Sequence, residues 1–187
     1  KEANQCLHLL LGESGNGKTL LLNRLMMQLP QRNLDIRLFS DRPNSLGDLV
    51  KKIWEQLDPS LKCEITNDRQ ARKYIKALMK VYKKSKSNLV LLVESHDLSP
   101  NGFLDHLCEL LDLTGPRLQV VFASVKSEEQ MKRDLKLAGL DKHLGAMAVL
   151  RGFGTPKAVE AYVEFMCKQS GNDTNPLSRQ AAQTLVD

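Results

Sequence analysis

Apolar residues in this chain cluster in short runs, separated by longer stretches in which they recur every three or four positions. The runs are Cys6–Leu11, Asp35–Phe39, Leu89–Val93, Leu118–Ala123 and Ala146–Leu150. A short apolar run without alternation predicts a strand buried on both faces. Between the runs, Leu46, Leu49, Val50, Ile53, Trp54 and Leu57 give residues 45–57 helical spacing. Ala71, Ile75, Leu78 and Tyr82 form the apolar stripe of a helix over 68–85, and residues 102–113 and 127–138 show the same period. Pro43, Pro59, Pro100, Pro116, Pro156 and Pro176 fall between these segments, where breakers belong. Repeated alternation of strand and helix predicts an α/β fold, a five-stranded parallel sheet with helices on both faces.

Beyond the fifth run the pattern changes. Thr155 is placed as an N-cap with Pro156 at the first helical position, and a helix is predicted to about Gln169. A last helix begins near Pro176 or Leu177. These helices have no strand to cover, so the expected division is a core over 1–152 and the start of an α-helical lid, cut short, over 153–187. No internal repeat or low-complexity tract interrupts either part.

Residues Gly12 to Thr19 read Gly-Glu-Ser-Gly-Asn-Gly-Lys-Thr, which fits G-x-x-x-x-G-K-[ST]. The first apolar run precedes it and the helical pattern Leu20–Met26 follows it, the context that this phosphate-binding loop requires. Glycines let backbone N–H groups close around an anion, and the positive end of the following helix adds to that field. The expected nucleotide site is therefore Gly12, Glu13, Ser14, Gly15, Asn16, Gly17, Lys18, Thr19 and Leu20. Lys18 is assigned to the β- and γ-phosphates and the Thr19 hydroxyl to Mg²⁺ held with the nucleotide, ATP or ADP. A dinucleotide site is disfavoured, since the first turn lacks G-x-G-x-x-G.

A phosphate loop that hydrolyses ATP needs a second strand ending in acids, one to hold Mg²⁺ and one to orient water. The candidate is Asn88-Leu89-Val90-Leu91-Leu92-Val93-Glu94-Ser95-His96-Asp97-Leu98. With Ser99-Pro100 it resembles the hhhDEAHxLSP stretch of the AAA+ ATPases of the ExeA/GspA and MshM type, which act beside secretion and pilus systems. Leu118–Ser124 is similar to that family's sensor-1 strand, and Thr155–Val163 to the start of its lid. The resemblance implies a P-loop NTPase of the AAA+ class.

The departures shape the function expected. Aligned on His96-Asp97-Leu98, Val93 stands at the metal-holding position and Glu94 at the catalytic one. A slip of one residue puts Glu94 at the metal and Ser95 at the catalytic place. Either way one carboxylate remains, and Glu94 is the candidate catalytic residue. The polar sensor falls near Ser124 or Val125. No arginine stands in Asp141-Lys142-His143-Leu144, where the family's finger would lie; Arg151 is the nearest substitute. The family's sensor-2 arginine is expected beyond the C-terminus, with Arg179 as the candidate inside the chain. An intact loop with an eroded acidic pair resembles the cytoplasmic domain of DamX-type cell-division proteins. That resemblance implies a bacterial, membrane-associated protein with its ATP-binding domain in the cytoplasm and envelope, division or secretion proteins as partners.

Charge adds one feature. The net charge is +5, and Arg69, Arg72, Lys73, Lys76, Lys80, Lys83, Lys84 and Lys86 are concentrated between residues 69 and 86 with no acid among them. A solvated helix face accounts for this, and an acidic lipid, protein or nucleic-acid partner is the alternative. Aromatic residues make up only 5% and do not interleave with the cations, which argues against base stacking. Cys6, Cys63, Cys108 and Cys167 form no C-x-x-C, and Cys6 and Cys108 sit in apolar patterns as core residues. His8, His96, His106 and His143 have no ligand spacing, although His106 and Cys108 are close. No apolar run reaches membrane-spanning length and no signal peptide is evident. Residue 1 is Lys, as expected of a piece of a longer protein.

The function expected is thus an ATP-binding AAA+ domain with weak or absent hydrolysis, with a homo-oligomer as its candidate assembly. Two alternatives stand beside it: an active ATPase using Glu94, and a nucleic-acid-binding AAA+ regulator.

Overall fold

The computed structural model describes residues 5–28, 34–39, 43, 45–58, 60, 64–95, 102–152 and, in the last segment, 157, 158, 160, 161 and 164. The elements follow in the order β1 (Leu7–Leu11), α1 (Lys18–Gln28), β2 (Leu34–Phe39), α2 (Leu46–Leu57), α3 (Asp68–Ser85), β3 (Asn88–Ser95), α4 (Phe103–Thr114), β4 (Leu118–Ser124), α5 (Glu128–Leu137) and β5 (Leu144–Val149). All strand pairings are parallel, in the sheet order β2-β3-β4-β1-β5. The chain leaves β1 towards one edge and leaves β4 towards the other. The gap between them at the carboxyl ends of the strands is where such sheets bind ligands.

Strand side chains alternate between two apolar layers. Leu7, Leu9, Leu11, Leu89, Leu91, Val93, Leu118, Val120 and Phe122 pack with residues of α2, α3, α4 and α5. On the other face Leu10, Val90, Leu92 and Ala123 pack with Leu22, Leu21 and Leu25 of α1. Helix starts are fixed locally. The Ser45 side chain accepts from the Asp48 N–H and the Asn67 side chain from the Gln70 N–H, while Ser127 and Gln130 form a reciprocal capping box.

β1, β2 and β4 match the expected runs to within one residue, and two strands differ by more. β3 continues past Val93, because its ladder with β4 runs on through Glu94 opposite Ala123 and Ser95 opposite Ser124. Backbone pairing, not hydrophobicity, sets that end. The fifth strand begins at Leu144 rather than Ala146 and is an edge strand with Gly145, Ala146, Ala148 and Val149 exposed. It was expected to be buried; the apolar run conceals small residues on an open edge.

The chain divides into two compact units, Lys1–Leu150 and Arg151–Asp187. In the second, residues 157, 158, 160, 161 and 164 are helical. The rest of the expected lid, with Thr155, Pro156 and Arg179, lies outside the described residues, as do His96–Pro100, Cys63 and Cys167.

Candidate functional site

The loop after β1 is strapped to its neighbours. The Gly12 N–H donates to the Ser124 carbonyl at 3.2 Å, and the Leu150 N–H donates to the Leu11 carbonyl at 2.7 Å. The Asn16 side-chain amide donates to the Leu150 carbonyl at 3.1 Å. A Cβ on Gly12 would lie 2.6 Å from that same carbonyl oxygen, so only glycine fits beside β5's exit. Gly15 and Gly17 have φ of 85° and 79° with open space around them. Conformation rather than crowding requires glycine there.

Helix α1 starts where the Leu21 N–H bonds the Gly17 carbonyl at 2.9 Å, and its first turn holds no acid. The free N–H groups of that turn and its dipole present positive potential to the loop. Lys18 is buried, and its ammonium donates to the carbonyls of Gly12 and Glu13, both at 2.7 Å. Glu13, Ser14, Gly15, Gly17, Thr19 and Leu20 are exposed, Asn16 and Gly12 half-buried. The nine positions expected at the nucleotide site run from the end of β1 into the first turn of α1.

The Thr19 hydroxyl donates to a Glu94 carboxylate oxygen. Alternation along β3 explains why Glu94 reaches it. Val90 and Leu92 face α1, and Glu94 follows them on that side. Val93 is buried among the residues facing α2–α5. The carboxylate at the loop hydroxyl is that of Glu94, the residue that the one-residue slip puts at the metal position. A hydroxyl and a carboxylate side by side are hard oxygen donors and fit Mg²⁺.

Ser124 is buried at the end of β4, in register with Leu11 on one side and Ser95 on the other. Its hydroxyl accepts from the Lys126 N–H at 3.1 Å and its carbonyl takes the Gly12 N–H, so it shapes the loop's floor. Arg151 is exposed. Asp141–His143 is a short 3₁₀ turn before β5, at the opposite end of the strands from the loop.

At that end lies a group that sequence spacing did not reveal. His143 is buried, with Nδ1 3.7 Å from the Cys6 sulfur and Nε2 2.9 Å from an Asp112 oxygen. Lys142 also donates to Asp112, at 2.9 Å, and the half-buried Cys108 thiol lies 4.0 Å from that carboxylate. The Lys142 and His143 hydrogen bonds hold the Asp112 carboxyl below its ordinary pKa. Burial pushes the Cys6 and Cys108 thiols up. The four-residue step from Cys108 to Asp112 was the readable half of this cluster; His143 comes from another element.

The seven basic residues of α3 and Lys86 at its C-cap are all exposed. Arg72 is paired with Glu109 of α4, Nε to Oε1 at 2.5 Å, and that bond raises its pKa. Tyr74, beside them, meets Trp54 edge-on with ring centres 5.9 Å apart.

Residues 3–131, more than half of the chain, match the family model described as AAA domain. No curated protein sequence matches the chain. Among solved structures, the Aeropyrum pernix ORC2 protein in its ADP form is similar with a TM-score of 0.64 at 13% identity, covering 88% of this chain and 47% of that one. Drosophila ORC bound to DNA gives a TM-score of 0.63 at 16% identity over 88% of this chain and 42% of that one. Cdc6p from Pyrobaculum aerophilum gives 0.60 at 16% identity over 95% and 46%. At these identities the likeness is one of fold, and the chain spans less than half the length of each of these structures.

Proposed function

Since this chain belongs to the AAA domain family, we propose that it is the nucleotide-holding AAA+ domain of a larger protein, binding ATP or ADP with Mg²⁺ and hydrolysing ATP slowly or not at all. The hydrogen bond from Thr19 to Glu94 carries this reading. In phosphate-loop proteins the loop hydroxyl and one carboxylate hold Mg²⁺, which neutralises charge on the phosphates. Thr19 and Glu94 are the pair suited to that task. Glu94 is then committed to the metal, and the next position on the strand is Ser95, which has no carboxylate to orient water. The loop amides and the N-terminus of α1 bind phosphate oxygens whether or not hydrolysis follows, and Lys18 neutralises their charge.

Thermal denaturation with ATP and ADP, with and without Mg²⁺, tests the binding. At about 100 times Kd the gain is roughly 2.7 kcal/mol, on the order of 5–10 °C for a domain of this size. No shift, with Lys18→Ala behaving like wild type, removes the nucleotide reading. Phosphate release well below the ~1 s⁻¹ edge of ordinary enzymes supports slow turnover. A rate at or above it, collapsing in Glu94→Gln, turns the assignment to an active ATPase with Glu94 as its base.

A second reading, nucleic-acid binding, is favoured by the exposed basic residues of α3 and by the DNA complex of the similar Drosophila ORC. Against it, Tyr74 is engaged with Trp54 rather than open for stacking. A steep fall in duplex affinity with salt, reduced when Lys76, Lys80, Lys83 and Lys84 become Gln, supports it. Undetectable binding at low salt ends it. The envelope setting, with the domain on the cytoplasmic side of a membrane, rests on the secretion-accessory and DamX-type resemblance. No described helix is long and apolar enough to cross a membrane, so fractionation of the full-length protein tests that setting.

A further inference from the structure

We propose that Cys108, Asp112 and His143 form a Zn²⁺ site at the end of the sheet opposite the phosphate loop. Each offers one ligand atom, and these atoms lie within 4.8 Å of one another. Around tetrahedral zinc, sulfur, nitrogen and oxygen ligands stand about 3.3–3.6 Å apart. The observed Cys108 Sγ to Asp112 separation is 4.0 Å and that of His143 Nε2 to Asp112 is 2.9 Å. Side-chain shifts on the order of 1 Å therefore complete the triangle.

The scaffold beneath these atoms is rigid. Cys108 and Asp112 are one turn apart on α4, so both project from the same face. His143 is buried at 4% exposure and held in place on its far side by Cys6, whose sulfur faces Nδ1. Nε2 bonds Asp112 in the metal-free protein; on metal binding the ring proton moves to Nδ1, facing that sulfur, and frees the Nε2 lone pair on the side where Asp112 lies. Zinc-bound histidines are oriented in this way by a partner on the other ring nitrogen. The donor set of thiolate, imidazole and carboxylate matches zinc and disfavours magnesium or calcium, which take oxygen ligands. Cys108 gives up its proton on binding, since thiolate is the ligand.

Lys142 is the competitor. Its ammonium lies 2.8 Å from Asp112, but its side chain is 53% exposed and can turn to solvent. Cys6 and His143 directly precede β1 and β5. The site is therefore a five-residue strand away from the loop, roughly 17 Å, and its role is to pin α4 to the start of β5. It does not rest on the nucleotide reading.

Titration of the chelator-stripped, reduced chain with Co²⁺, then displacement by Zn²⁺, tests this. The expected result is one equivalent bound with a thiolate-to-cobalt charge-transfer band. Cys108→Ser, nearly isosteric, should abolish the band and weaken binding by about 100-fold or more, beyond what loss of an outer-shell partner costs. Asp112→Asn, at an exposed position, should weaken binding without unfolding the chain. Lys142→Met should bind Co²⁺ more tightly than wild type. No thiolate band, equal affinity in Cys108→Ser, or unchanged or weaker affinity in Lys142→Met would each overturn the proposal.

Discussion

The Thr19 hydroxyl and the Glu94 carboxylate, 75 positions apart in the chain, are joined by a hydrogen bond between the first turn of α1 and the end of β3. The bond links the part of the loop that meets phosphate to the strand end that would sort metal from water. It also separates two kinds of carboxylate role. A group bonded to the loop hydroxyl stands where Mg²⁺ is held, whereas a base must reach past it to a water beyond the phosphate.

Substituting either partner should therefore remove the metal-dependent part of nucleotide affinity and leave the metal-independent part. Glu94→Gln and Thr19→Ala are each expected to shrink the difference between ATP binding with and without Mg²⁺. Because the residues act as a pair, the double variant should lose less than the sum, by a coupling of about 0.5–3 kcal/mol. Calorimetric titration of the four proteins measures it. Additive losses would mean that the two residues act independently.

If Ser95 stands where a water-orienting carboxylate belongs, Ser95→Glu should raise turnover. General base catalysis contributes about 10²–10⁴-fold. A gain of at least 10-fold in steady-state phosphate release is expected, with nucleotide affinity within a factor of a few of wild type. No gain, in a variant that still binds ATP, would falsify the assignment of Ser95 to that position.

Much of this was legible along the chain because it depends on local periodicity. The stripe Ala71, Ile75, Leu78 and Tyr82 is the buried face of α3, and Gly12–Thr19 forms its loop where the motif requires. What was illegible depends on which side of a strand a residue takes. Sequence left Val93 and Glu94 exchangeable at the metal position, since an alignment carries no sidedness. Two-residue alternation in β3 separates them, with Val93 in one apolar layer and Glu94 on the other face beside Thr19. The exposed edge of β5 was missed for a related reason: an apolar run does not record how many neighbours the strand has. The meeting of His143 with Asp112 joins residues 31 positions apart, and no local pattern encodes it.

Gly12 and Gly15 separate crowding from conformation. A methyl group on Gly12 meets the Leu150 carbonyl at 2.6 Å and also sits at φ 156°, whereas one on Gly15 meets nothing within 4 Å. Gly12→Ala should cost about 2–4 kcal/mol, combining overpacking against backbone with strain. Gly15→Ala should cost about 1–2 kcal/mol, from the left-handed conformation alone. Urea unfolding of both variants ranks them, and equal losses would show that the contact with Leu150 is relieved at no cost.

Asn16 reaches the same Leu150 carbonyl from the loop tip, so it fixes the loop against the exit of β5 rather than contributing to the core. Its loss should appear in binding more than in stability. Asn16→Ala removes one hydrogen bond from a half-buried carbonyl, worth about 0.5–1.5 kcal/mol. Much of that should be recovered as a looser loop whose amides must be ordered when nucleotide arrives. ADP affinity is then expected to fall about 3–10-fold, with the unfolding midpoint in urea nearly unchanged. A variant that loses stability while binding ADP as tightly as wild type would place Asn16 among the residues that hold the fold and not among those that shape the cradle.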